Sequence, residues 1–353
     1  MRVVFFVVLA AVFAAIGLID FSPASAAPKS TVSGCSRDRV TLVDDHYGPD
    51  ATWNFNADRV AAKYGLYAAA SADTYADNED QYVFLHRDTV RRTEWQRLNL
   101  GFGDVIPHRF QDTLTGLSLD TYFKEGSDCV TVLVAIRGTD FTSIADWNTN
   151  LSWFSPLFPN QYRLIDKKFA QVMERAKILF EGRTVRYVAT GHSLGGGLAI
   201  HLARCFDNTD AVTFDPSFVQ NTLLCRNRPS TVIEIYEKNE VLANLRKFAF
   251  QPQSRNVNDE RRATYGLNPI EKGHWKWIDQ HSMTGMAAGL LRLAIECDVE
   301  RSKSCDIPRS YFTEQNSSQY ILYCDNFAPA AYKVTRALVG ERDPVCSRWI
   351  AGH

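Results

Sequence analysis

Residues 187–199, YVATGHSLGGGLA, place a serine between glycines in the order Gly191-His192-Ser193-Leu194-Gly195. A serine hydroxyl becomes a nucleophile when a neighbouring base takes its proton and a third group orients that base. The flanking residues suit a device that presents such a serine. VRYVAT (185–190) reads as a strand running straight into Gly191, and a helix opens directly after Ser193. A strand–turn–helix elbow of this kind pushes the serine side chain out above a sheet. It also crowds the backbone, so the positions two before and two after the serine must be small, as Gly191 and Gly195 are. Gly196 and Gly197 let the helix approach the strand. Three consecutive glycines cost a helix about 1 kcal/mol each relative to alanine, which selection for helix stability alone would not retain.

The base and its orienting acid follow in the chain order serine, acid, histidine. Downstream lie His201, His274, His281 and His353. His201 sits two turns into the elbow helix and cannot fold back on the serine, and His353 is on a terminal tail. His281 stands at the mouth of a helix with Ser282 as its N-cap and is the first choice. His274, flanked by Trp275 and Trp277, reads as packing or as a substrate wall. For the acid, Glu240 falls in the loop that leaves the strand TVIEIY (231–236), and Asp215, at the end of the strand before it, is the rival. An oxyanion hole needs two backbone N–H donors. Leu194, directly after the serine, supplies one, and Thr139 in VAIRGTD, at the exit of an earlier strand, supplies the other.

These groups must be carried by elements whose types can be read from periodicity. Residues 58–71 form an Ala-rich helix. VTVLVAIR (130–137) is a continuous apolar run, as expected of a strand covered on both faces. Between 162 and 180, Leu164, Phe169, Val172, Met173, Ala176 and Phe180 share one helical stripe. A helix spans 193–206, short strands occupy 211–214 and 231–236, and a helix follows His281 with Met283, Met286, Ala287, Leu290, Leu291, Ala294 and Ile295 three or four apart. Strands alternating with helices at these lengths imply an α/β fold with a mainly parallel sheet. The catalytic domain is expected over 27–297, and residues 298–353, with their Cys-, Ser- and Pro-containing segments, form a C-terminal extension packed on it.

The chain begins with one arginine, an apolar run from Val3 to Leu18 and a small-residue segment ending Ala24-Ser25-Ala26. This is the pattern of a secretory signal cut before Ala27. Removing residues 1–26 from the 353 leaves 327, enough for one large domain with a full core. The protein is then exported, either secreted or periplasmic. Eight cysteines, an even number, suit disulfides in such a compartment, with 205–225, 297–305 and 324–346 as local pairings. No C-x-x-C pair argues for zinc or thiol redox chemistry. With 39 basic and 40 acidic residues the net charge is −1, and no basic block points to nucleic acid.

IRGTD, then SIADWNTNL, then ATGHSLGGGLA, in this order and spacing, resemble the class 3 lipases of the α/β-hydrolase fold. The resemblance covers roughly residues 58–295. It implies that Ser193 is the nucleophile and that Thr139 is an oxyanion donor. It also implies a lid near Asp140–Phe158, where Trp147, Trp153, Phe154 and Phe158 suit contact with lipid. The acid of that family is usually an aspartate in the loop where this chain has Glu240, so Glu240 inherits the role and Asp215 stays open. The extension after 298 falls outside the resemblance. What it implies is a serine esterase acting on lipid carboxylic esters, needing no metal or organic cofactor and touching membrane surfaces transiently. Phospholipase A1-type and short-chain esterase activities are variants of the same chemistry. Proteolysis, or an inactive binding protein on a hydrolase fold, are the readings from other classes.

Overall fold

The computed structural model describes residues 54–77, 95–101, 108–113, 115–127, 129–138, 160–217, 230–237, 242, 259–265 and 281–300. The expected signal segment, the expected lid, Cys225, the 297–305 and 324–346 pairings and nearly all of the C-terminal extension lie outside these residues or their described side chains; Cys129 and Cys205 are described and are disulfide-bonded. Among the described residues, eight strands form a single sheet. β1 (Gln96–Arg97) and β2 (Arg109–Gln111) both pair with β3 (Ser118–Glu125), which pairs with β4 (Cys129–Ile136), and all three pairings are antiparallel. From β4 onward the order β5 (Thr184–His192), β6 (Thr209–Phe214), β7 (Thr231–Glu237), β8 (Asp259–Tyr265) is parallel throughout. Parallel neighbours need crossover connections. α2 (Asn160–Leu179) joins β4 to β5, and α3 (Leu194–Cys205) joins β5 to β6.

Successive strand residues point to opposite faces, and the two faces build two cores. Leu133 and Ala135 of β4, Val188 of β5 and Ile233 and Ile235 of β7 pack with α1 (Asn54–Asp73) and α4 (Met283–Glu300), through Val60, Tyr64, Ala68, Met286, Leu290 and Leu291. Val130, Val132, Val134 and Ile136 pack on the other side with Phe169 and Val172 of α2 and Leu198 and Ile200 of α3. The stripe expected on 162–180 faces this second core, where Phe169 lies edge-on to Tyr187 and Phe206 with centroids 5.6 and 5.0 Å away. The result is a mainly parallel sheet between helical layers, the α/β-hydrolase architecture. Among the described residues, no helix is long and apolar enough to cross a membrane.

Four strands were not read from the sequence: the short β1 and β2, and the longer β3 and β8. β3 carries Asp120 at zero exposure, which interrupts its apolar alternation. The carboxylate is matched by Arg109 of β2 through Nε and Nη2 at 2.6 and 2.7 Å. Arg109 also donates to the carbonyls of Asp73 and Ala76, fastening the sheet to the end of α1. β8, DERRATY, has charges at four of its seven positions and lies at the edge of the sheet, pairing with β7.

Candidate active site

β5 runs through His192, and the chain turns at Ser193 into α3, so the elbow expected from the sequence is present. Ser193 has φ 55° and ψ −123°, a conformation that costs a non-glycine residue on the order of 1–3 kcal/mol. Surrounding bonds hold it there. Its N–H donates to the Phe214 carbonyl at 3.1 Å, and its own carbonyl accepts from the N–H groups of Ser217 at 2.8 Å and Gly197 at 3.1 Å. The small flanking residues are sterically required. A Cβ at Gly191 would lie 2.5 Å from the carbonyl carbon of Gly195, and one at Gly195 would lie 2.3 Å from the Ile136 oxygen. The Ser193 side chain is fully buried, and its Oγ makes no hydrogen bond among the described residues.

Asp215 leaves the end of β6 in a left-handed conformation, φ 43°, which aspartate tolerates better than most residues. Its Oδ1 accepts from the Glu237 N–H at 2.8 Å, and its own N–H donates to the Ile235 carbonyl at 2.8 Å. The carboxylate is thus pinned between β6 and β7 with Oδ2 4.0 Å from His281 Nδ1. His281 is delivered by α4. Ser282 caps that helix, as its position suggests, accepting from the Gly285 N–H at 3.2 Å. Both His281 and Asp215 are buried, and the His281 ring lies against that of His192, with centroids 4.4 Å apart and planes inclined by 45°. Because His192 immediately precedes Ser193, this contact places His281 beside the elbow. The structure shows no Ser193–His281 hydrogen bond, and such bonds are often long before substrate tightens them.

The strand exit at Arg137–Gly138 packs directly against the elbow. A Cβ at Gly138 would fall 2.3 Å from the His192 carbonyl oxygen and 2.6 Å from Tyr75 Oη. Thr139 follows outside the described residues. Leu194 is the first residue of α3, a position whose N–H has no intrahelical acceptor. Glu240 and His274 also lie outside the described residues. His201 is engaged elsewhere, its Nε2 2.8 Å from Asp166 Oδ1 and its ring edge-on to Tyr162.

Two residues of this neighbourhood escaped the sequence reading. His192 Nδ1 is 2.9 Å from Tyr75 Oη, and the Arg137 guanidinium stands 5.6 Å from the centre of the Tyr75 ring. His192 lies inside the serine motif, so its proximity to Ser193 was available; that it would stack on His281 was not. Nothing local marks Tyr75, which lies 117 residues before it in sequence and just beyond the end of α1.

The Tle-like phospholipase domain family matches residues 66–240, the stretch that contains β1 to β7, the elbow and Asp215. Over these residues the chain is similar to that phospholipase-like family. No curated protein matches the chain. Among solved structures, the lipase of Rhizopus microsporus var. chinensis is 15% identical with a TM-score of 0.37, covering 53% of this chain and 70% of its own. Lipase II of Rhizopus niveus is 14% identical with a TM-score of 0.39, covering 62% of this chain and 83% of its own. The matched segment ends at 240, so α4 and His281 come from beyond it and pack back onto it.

Proposed function

We propose that this lipase-family protein is a serine hydrolase that cleaves carboxylic esters of phospholipids, using Ser193 as nucleophile, His281 as base and Asp215 as the acid that orients it. The observation that carries the reading is the meeting of a strained elbow serine with a buried imidazole and carboxylate from separate elements. Ser193 Oγ attacks the acyl carbonyl as His281 takes its proton. The amides of Leu194 and Thr139 hold the oxyanion, and the Asp215 charge stabilises the imidazolium. His281 then protonates the leaving alcohol and activates water to release the acyl group. Glu240 stays the competing acid, since it occupies the loop where the resembling family carries one. The buried ion-pair distance between Asp215 and His281 favours Asp215.

Phospholipid is the proposed substrate class because the matched domain family is named for phospholipases. The signal-like residues 1–26 support export, which N-terminal sequencing of the mature protein checks by finding Ala27 first. The central test is treatment with a fluorophosphonate in the presence of phospholipid micelles, followed by peptide mapping. An adduct on Ser193 that disappears in His281→Ala, together with fatty acid release from phosphatidylcholine, is the expected result. An unlabelled Ser193 under these conditions refutes the hydrolase reading and leaves a binding protein on a hydrolase fold.

A further inference from the structure

The hydrolytic site needs one imidazole beside its acid, and this site has two. His192, Asp215 and His281 are all buried, and one nitrogen or carboxylate oxygen from each lies within 4.8 Å of the others. We propose that these three side chains form a reversible binding site for a divalent transition-metal ion of the Zn2+ class, and that occupancy switches the hydrolase off. The inhibitory consequence rests on the Ser193–His281–Asp215 reading; the binding site itself does not.

Donor chemistry selects the ion. Two imidazoles and one carboxylate suit Zn2+ or Co2+, whereas Ca2+ and Mg2+ take oxygen ligands. The spacing is wider than in a filled site. The 4.0 Å between His281 Nδ1 and Asp215 Oδ2 exceeds a hydrogen bond and is wider than the roughly 3.3–3.4 Å between two ligands of a tetrahedral ion with bonds of about 2.0–2.1 Å, so binding must draw the side chains together. Groups behind the ligands are placed as a metal site requires. Metal-binding histidines commonly use their other ring nitrogen to hold a fixed partner, which sets the tautomer. Tyr75 Oη sits 2.9 Å from His192 Nδ1, so an Nδ1–H donated to Tyr75 leaves the Nε2 lone pair for the ion. The Glu237 amide on Asp215 Oδ1 likewise fixes the carboxylate. A bound ion takes up the imidazole lone pair that His281 needs as a base and the charge of Asp215 that steadies it. Hydrolysis stops without any change of fold.

The decisive experiment uses the mature chain carrying Ser193→Ala, which keeps all three donors and cannot turn over. After dialysis against chelator it is titrated with Co2+ and followed by visible absorption. The expected result is one Co2+ per chain with ligand-field bands, displaced by Zn2+. His192→Gln in the same background lowers the affinity at least tenfold. Tyr75→Phe, which removes a single hydroxyl behind the ligand, lowers it about tenfold or more. In the unsubstituted chain Zn2+ abolishes ester hydrolysis, and chelator restores it. Absence of ligand-field bands, or Co2+ binding indifferent to both His192→Gln and Tyr75→Phe, overturns the site. Hydrolysis that persists under saturating Zn2+ overturns the switch and leaves the hydrolase reading standing. Co2+ bound through His192 in a chain that cleaves no ester sustains the site and removes the hydrolase reading instead.

Discussion

Asp215→Asn isolates the charge of the proposed acid from its shape. Asparagine is nearly isosteric and, like aspartate, adopts a left-handed backbone, so φ 43° at this position is retained. Its side-chain oxygen can keep the Glu237 N–H bond of 2.8 Å. What disappears is a negative charge 4.0 Å from His281 Nδ1, where the imidazolium develops in the transition state. Coulomb's law at that separation, with an effective dielectric constant of about 20, gives about 4 kcal/mol. At 1.36 kcal/mol per decade this is roughly a thousandfold loss in kcat. The assay is kcat on a soluble p-nitrophenyl ester for Asp215→Asn and Glu240→Gln side by side, with thermal melting to confirm the fold. A thousandfold loss in the first and little change in the second is expected. Near-normal kcat in Asp215→Asn with a collapse in Glu240→Gln would refute the assignment and return the role to the loop carboxylate.

Three further outcomes follow from the geometry. Gly195→Ala drives a Cβ to 2.3 Å from the Ile136 carbonyl, so backbone must move: about 1–3 kcal/mol of stability by urea titration, and roughly a hundredfold in kcat if the elbow shifts by an ångström. Asp120→Asn strips the partner from Arg109, which is 3% exposed, and should cost about 3–5 kcal/mol. The exposed Arg183–Glu125 pair gives the contrast, since Glu125→Gln should cost less than about 1 kcal/mol. Burial, and secondarily the Glu174 charge, pushes the Tyr187 phenol up to about 12. Its protonated form is favoured in the folded state, so the stability it contributes is whole below about pH 10, the ordinary tyrosine value, and declines as pH rises through about 12. Tyr187→Phe should remove that decline from denaturation curves measured between pH 9 and 12.

What was legible in the sequence was what local periodicity and steric necessity encode. The elbow was readable because strand, turn and helix are contiguous there and Gly191 and Gly195 leave only one use for themselves. β4 to β7 and the α2 stripe were readable for the same reason: burial on one or both faces writes an apolar pattern. β3 was not, since its buried Asp120 makes sense only once Arg109, eleven residues away, is in place. β8 was not, because four charges in seven residues hide an edge strand. The proposal of Asp215 rather than Glu240 rests on a distance to His281, a residue 66 positions after Asp215, and no pattern within one segment carries such a distance. Tyr75 joins the site for the same kind of reason, through the end of a helix that packs from the far side of the sequence.

The pairing of α1 with α4 in one core has a consequence for when the protein can act. Val60 and Tyr64 pack in the same cluster as Met286 and Leu290, so the first described helix waits for the last. During synthesis at about 5–20 residues per second, the 230 residues from Asn54 to Met283 take on the order of 10–45 s to emerge. Until they do, the part of α1's apolar face that packs on α4 is uncovered, and His281 has not been made. A nascent or truncated chain therefore holds its serine motif without the histidine proposed as its base. On the proposed mechanism, completion of the chain is itself the first control on the activity: a ribosome-bound fragment can carry the whole matched segment and still lack its base.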